Sequence, residues 1–418
     1  MLRASALVYS LVMALIIAIL SSSILLYSYF STASIRQYEK KERLLENVNS
    51  GINLLLSDQA LVGLDENKTI DLFGEGRDPV TLQRKAWGAF EIIHCSASWK
   101  GTRVSKTAMV GRTIGLDSDL CFYLAEHDAP LSVCGKTKLK GTCYLPKEGT
   151  KSAYIEGENF IGDKPVDGLI RNSDKRLPEI NKEMFEALDD LMSDKTSMSD
   201  SIIDVSSLPD SLSNDFLSKT ILISSGGPLL VQGKFLSGNI LIRSNTSITI
   251  GGNTILSNVI VTAPKIKIEK NFSGSVQLFA NDSIIIKEHC HFGYPSVLGL
   301  LRTERSANSI SICIGEECSI YGDVFAYQGK YDPRKQSLVL FQKTDTVKGI
   351  VFTDDALSLQ GTVYGAVVVN KILLKTTTAI YEGHLLDVVV DRKRLSTYYL
   401  GTDLWKETGT KRVAAWLE

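Results

Sequence analysis

Residues 221–286 read ILISSGGPLLVQGKFLSGNILIRSNTSITIGGNTILSNVIVTAPKIKIEKNFSGSVQLFANDSIII. Short apolar triplets recur there in pairs. Ile221-Leu222-Ile223 goes with Leu229-Leu230-Val231, and Ile240-Leu241-Ile242 with Ile248-Thr249-Ile250. Val259-Ile260-Val261 goes with Ile266-Lys267-Ile268, and Val276-Gln277-Leu278 with Ile284-Ile285-Ile286. First members advance by 19, 19 and 17 residues, second members by 19, 18 and 18. So short a period, with two or three strands per turn, predicts a parallel β-helix, a triangle of strands around an apolar bore; the period does not give its hand, and right-handed is the expectation. Polar pieces such as SGN, SNTS, GGNT and NDS supply the tight corners between strands.

The pattern resumes downstream. Ile310-Ser311-Ile312, Ile320-Tyr321-Gly322, Ile350-Val351-Phe352, Leu357-Ser358-Leu359, Val367-Val368-Val369 and Ile372-Leu373-Leu374 read as further coils. Residues 295–307 and 329–336 read as side excursions. Upstream, LSVCGKTKLKGTCYLPKEG (131–149) with AYIEG (153–157) reads as an opening coil. The solenoid is thus expected over 131–391, with a helical insertion at about 176–193. That amphipathic helix carries Leu177, Ile180, Met184, Leu188 and Leu191, with Pro178 in its first turn, and is expected to cap an open end. The Ser/Asp-rich stretch that follows (193–215) reads as an exposed linker.

At the other end, residues 4–35 carry no charge. A helix of about 20 apolar residues spans a bilayer, and Leu7–Tyr29 is long enough. Residues 4–30 are therefore expected to contact membrane lipid, with Tyr27, Tyr29 and Phe30 at the interface. Ile35, Tyr38, Leu45, Ile52 and Leu55 continue the helical pattern, so one helix over 1–62 is expected, ending near 58–63. Arg36, Lys40, Lys41 and Arg43 follow the span and only Arg3 precedes it, a count that favours an internal C-terminal part. Long translocated domains override that count. We expect a single-pass inner-membrane protein with its C-terminal domain outside.

Between helix and solenoid, 63–130 reads as a small antiparallel region. WGAFEIIHCSASW (87–99) and RVSKTAMVG (103–111) flank a Gly-containing turn as a hairpin does. LCFYLAEHDAPLSV (120–133) suggests a second hairpin turning near Asp128 and Pro130. The tail, 392–418, leaves the repeat, and Val413, Trp416 and Leu417 are expected either to cap the last coil or to bind a partner.

Composition excludes some functions. The 46 Lys and Arg nearly cancel the 47 Asp and Glu, and no basic stripe with interleaved aromatics appears, which argues against nucleic acid as a partner. There is no CxxC among the seven cysteines, so zinc-ribbon and thioredoxin-type readings lack support. Cys134 and Cys143 flank a hairpin-like KTKLKG and are either a disulfide or two buried thiols. No GxSxG, P-loop or dinucleotide fingerprint is present. His289, Cys290 and His291 form the one dense metal-type cluster, and Asp354-Asp355 the best carboxylate pair for acid/base work on sugars. Neither has the companions its chemistry needs. No catalytic, cofactor-binding or metal residue is therefore assigned, and no cofactor is expected. The sequons at Asn67, Asn245, Asn271 and Asn281 are given no weight.

A long apolar N-terminal helix followed by a small antiparallel sheet resembles the layout of type IV pilin-like proteins, including the PilX-like minor pilins. No Gly precedes the span, and position 5 is Ser5 where such proteins have Glu. PLSVCGKTKLKGTCYLP (130–146), AYIEG (153–157) and AAWLE (414–418) are similar to an uncharacterised family of membrane-anchored Bacteroidetes proteins, which implies a Gram-negative envelope. The solenoid alone resembles bactofilins. The expectation is a non-catalytic structural component of an envelope assembly, with protein partners. The alternatives are a polymerising bactofilin-like scaffold and a glycan-binding or glycan-cleaving β-helix protein.

Overall fold

The computed structural model describes residues 2–57, 62–74, 76, 78–114, 117–193, 201–303, 306–307, 309–329, 332, 334–376, 379–406 and 409–417. The chain is mainly β, with one long N-terminal helix and a small antiparallel sheet. It divides into two compact units: residues 1–55, 59–84 and 93–106 in one, and 56–58, 85–92 and 107–418 in the other.

Helix α1 runs Leu2–Leu56; of its expected end, residues 58–61 lie outside the described residues. The antiparallel sheet has five strands in the order Asn67–Ile70, Val80–Trp87, Phe90–Trp99, Thr102–Arg112 and Lys411–Leu417. Phe90–Trp99 and Thr102–Arg112 are the expected hairpin, turned by Lys100 and Gly101, both at positive φ. Lys411–Leu417 is the surprise. Val413 pairs with Val110 and Leu417 with Thr107. The tail therefore does not cap a coil. It returns to the small sheet, so the parallel coils are inserted between two neighbouring strands of that sheet.

The coils stack in register. One inward column can be followed from end to end: Ile203, Ile223, Ile242, Val261, Leu278, Leu298, Val324, Val351, Val367, Phe122, Cys143 and Ile170, each paired in parallel with the next. Between its ends the column is fully buried. No coil could bury this face alone, so stacking makes the bore a continuous apolar core.

That column also shows where chain order and stacking order part. Residues 120–172 do not open the stack beside 201. They lie past the last coil, where Val367 meets Phe122 and Val390 meets Leu139. For the same reason 120–133 is not a hairpin. Leu120–Leu124 pairs in parallel with Thr362–Lys375 and Thr142–Leu145, while Leu131–Cys134 pairs with His384–Leu386 and Thr150–Ser152. Two apolar runs around Asp128 and Pro130 look alike whether they pair together or form two sides of one coil.

Two stretches expected outside the stack belong to it. Ser201–Asp204 and Ser211–Asn214, part of the expected linker, pair in parallel with Ile221–Ser225 and Phe235–Gly238; residues 194–200 lie outside the described residues. His291–Leu301, most of one expected excursion, pairs with the coils on both sides.

The outer surface carries a second apolar core. On one flank an outward column runs Phe279, Gly299, Phe325, Phe352, Val368, Tyr123 and Tyr144. Ile260 also faces this flank, whereas Ile242 lines the bore. Helix α2 (Lys182–Met192) covers part of the column, with Phe185 against Phe325 at 5.6 Å and against Tyr327 at 4.4 Å. It starts after Asn181, whose side chain accepts from Glu183 N–H, so Pro178 lies before the helix and not in its first turn. The helix covers a flank and no open end, because Met184, Phe185 and Leu188 find a lateral apolar column there.

Candidate functional site: the two-part helix and the flank clefts

The apolar half of α1 contains an 18-residue window of mean hydropathy 2.4, none of it buried. Its large apolar side chains from Leu7 to Phe30 are between 44 % and 77 % exposed. Ser10, Ser23 and Thr32 turn their hydroxyls back onto the carbonyls of Leu7, Ile19 and Ser28. That satisfies the polar groups a hydrocarbon environment would leave unpaired.

The second half has the opposite character. Leu44, Val48, Ile52 and Leu55 recur on one face and are buried. Gly51 lets that face approach the sheet, since a Cβ there would lie 2.6 Å from Cys95 Sγ and 2.9 Å from Val80 and Leu82. Polar contacts fix its rotation. Arg43 pairs with Asp78, Lys106 Nζ donates to Asn49 Oδ1 at 2.7 Å, and Lys40 Nζ donates to the Lys100 carbonyl at 2.9 Å. Burial pushes the Cys95 thiol up to about 12, so it stays protonated and packs as an apolar group. One helix therefore presents a free apolar half and a half locked into its own unit.

In the other unit, two buried polar residues of the coils pin the segments that cover the flank. Gln277 accepts from Ala89 N–H at 2.8 Å and donates to the Trp87 carbonyl at 3.1 Å. Asp323 accepts from Tyr399 Oη at 2.7 Å, from Thr402 N–H at 2.7 Å and Oγ1 at 2.9 Å, and from Ile350 N–H at 3.1 Å. Burial raises its pKa while those donors pull the other way. Trp405 then packs edge-on against Phe352 at 5.3 Å. Both polar residues interrupt apolar runs, as Val276-Gln277-Leu278 and Gly322-Asp323-Val324. That interruption is visible in the sequence, but a polar residue there reads equally as solvent-facing, so the sequence alone singles out neither.

Past Trp405 the flank opens into a cleft of about 1020 Å³, lined among others by Tyr123, Tyr144, Asp117, Arg176, Glu179 and Lys406. The two tyrosines stack at 5.4 Å, and the Arg171 guanidinium lies 5.7 Å over the Tyr144 ring. Lys406 pairs with Glu179 and holds its carboxyl below the ordinary range. The rim thus carries both signs of charge around an aromatic floor.

The residues weighed from sequence are dispersed. His289 sits in a turn at positive φ with Nδ1 3.0 Å from Glu317, while His291 opens a strand and bonds Ser319. The two do not converge, and among the described residues no group of three or more His, Cys, Asp or Glu could hold a metal. Asp354 accepts from Gln328 and Gly329 N–H, and Asp355 from Gln328 Nε2 and Ser337 N–H, both at 2.7 Å. Both carboxylates thus bind their own chain. Cys134 lies with Ile155 and Leu374, apart from Cys143, whose neighbouring thiol is Cys121 on the adjacent coil. Cys290 and Cys318 are likewise hydrogen-bonded neighbours. All seven cysteines are thiols. Asn245, Asn271 and Asn281 lie on the coils and Asn67 starts a strand of the small sheet.

No family model matches the chain, and no curated protein matches it. Among solved structures it is similar to the competence-associated pilin ComZ from Thermus thermophilus, at 10 % identity over 84 % of this chain and 87 % of that one, with a TM-score of 0.24. So slight a likeness fixes neither fold nor function.

Proposed function

We infer that the chain is a non-catalytic, pilin-like component of a cell-envelope assembly. The observation that carries this is the division of α1. Its second half is buried in its own unit, so its exposed first half is free to sit in the inner membrane and pack there against similar helices of partner subunits. The coils form an outward body, right-handed because crossovers between parallel strands take that hand in nearly all folds. A protein exposing this body outside the cytoplasm has reason to seal its small sheet with its last strand, which holds both ends of the insertion together.

A single-cysteine scan along Leu11, Leu15, Ile19 and Ile24 of the full chain in native membranes, treated with a membrane-permeant thiol cross-linker, tests this. Adducts to other proteins recurring at three- to four-residue spacing are expected, marking one packing face. Uniform labelling with no adduct at any position would leave α1 as a lipid anchor only.

A second reading draws on the Tyr123–Tyr144 cleft, whose aromatic floor and charged rim suit a saccharide. It predicts chemical-shift changes at both tyrosines on titration with oligosaccharides. Absence of such changes up to millimolar concentrations rejects it.

A further inference from the structure

One corner of the stack carries the column Phe272, Cys290, Cys318 and Asp345. Each lies one residue before strand positions that pair in turn, Ser273, His291, Ser319 and Thr346. Cys290 and Cys318 thus occupy the same place in consecutive coils. Ser319 N–H donates to the Cys290 carbonyl at 2.9 Å, so the two backbones are direct neighbours. Adjacent strands lie about 4.8 Å apart, within the Cα separations that a disulfide bridges. The side chains agree with the backbone. Both belong to the core of the bore, where Cys290 Sγ donates to the Glu269 carbonyl at 3.3 Å and Cys318 Sγ to the Lys287 carbonyl at 3.1 Å. The two thiols are also hydrogen-bonded to each other.

Their chemistry is unequal. The Cys318 thiol pulls the Cys290 pKa below the ordinary thiol range, against burial, while the same contact is the main cause that raises Cys318. A thiolate is the nucleophile in disulfide exchange, so Cys290 attacks first and Cys318 resolves. Both are covered, at 1 % and 2 % exposure, but each follows directly on an exposed turn residue, His289 or Glu317. Position gives a reason for a link here. Phe272 and Cys290 are 18 residues apart, whereas Cys290 and Cys318 are 28 apart. Closing a longer coil costs more conformational entropy, and a covalent link offsets more of it. The following corner is held without sulfur: Asp345 accepts from Cys318 N–H at 3.0 Å and from Gln342 N–H at 2.7 Å. The other close thiols, Cys121 and Cys143, sit at a register shift.

We propose that Cys290 and Cys318 form a disulfide that cross-links consecutive coils when the chain meets a small-molecule disulfide such as oxidised glutathione. The Cys290 thiolate attacks one sulfur of that donor, forming a mixed disulfide and releasing one donor thiol. Cys318 then attacks the Cys290 sulfur, forming the Sγ–Sγ bond and releasing the second donor thiol. Two protein thiols are oxidised, one donor disulfide is reduced, and the two protein protons end on the released donor thiols. Apolar filling of the bore would account for either cysteine alone. It does not account for two that face each other in consecutive coils with one held toward its thiolate. The pair belongs to the coils and does not rest on the reading of α1.

The test uses full-length chain in detergent micelles, equilibrated with reduced and oxidised glutathione at stepped ratios. Free thiols are then blocked and tryptic peptides mapped without reduction. The expected product joins residues 288–302, which hold Cys290, to residues 306–330, which hold Cys313 and Cys318, and it disappears on reduction. Cys290→Ser and Cys318→Ser should each abolish it, and Cys313→Ser should leave it in place. Absence of the linked product at every ratio overturns the proposal, and so does a link that survives Cys318→Ser. Stability provides an independent arm. Reducing the oxidised native chain should lower its melting temperature by about 5 °C and leave that of Cys290→Ser unmoved. No shift in the native chain, or the same shift in Cys290→Ser, contradicts a link that holds these coils.

Discussion

Asp354 and Asp355 look, in the sequence VFTDDALS, like a catalytic pair, and in the fold they hold Gln328, Gly329 and Ser337. Burial is the main reason the Asp354 carboxyl is pushed up to about 7; backbone donors and the neighbouring Asp355 act more weakly. A folded pKa above the unfolded value of about 3.9 means the fold favours the protonated form. The contribution of Asp354 is therefore full below the unfolded pKa and is lost as pH rises through about 7. Thermal melts of the native chain should lose about 1–2 kcal/mol between pH 4 and pH 8 from this group, after allowance for its partial solvation. Asp354→Asn should flatten that slope; an unchanged slope would remove Asp354 as its source. At this scale the sequence was a poor guide, because two adjacent carboxylates read the same whether they meet a substrate or their own loop. Gly299 is another such case. A Cβ there would lie 2.7 Å from both Phe279 and Phe325, an aromatic contact between separate coils that no local pattern announces.

Elements were more legible. The strand triplets of 221–286 lie in strands at matching register, since apolar alternation with polar corners has few other solutions. The amphipathic pattern at 177–191 did mark a helix, but Asn181 and not Pro178 sets its start. What stayed hidden was the partner of each apolar face. The tail shows it best: Tyr399–Trp405 lies outside the repeat, yet docks through a buried carboxylate on Asp323. Asp323→Ala would strand those donors, at a cost of about 2–4 kcal/mol. The expected outcome is earlier tryptic cleavage within 392–412 while the coils stay resistant. Cleavage at the native rate would show that Trp405 alone holds the tail.

For the whole molecule, the coil period foretold the stack but not its order. Residues 120–172 could be recognised as coil-like, while their place beyond 362–391 depends on long-range closure that periodicity does not encode. The same closure returns the final strand to the small sheet. The division of α1 was readable because an uncharged run followed by a charged amphipathic one is a local signal. The direction of the membrane crossing we propose was not readable, since Arg36, Lys40, Lys41 and Arg43 count against the outward body of that proposal. The most direct measurement is therefore compartment: paired reporters fused after residue 418 of the full chain, one active only outside the cytoplasm and one only within. The account predicts activity of the external reporter alone. Activity of the cytoplasmic reporter alone would contradict the outward, pilin-like reading and leave a scaffold on the inner face of the membrane.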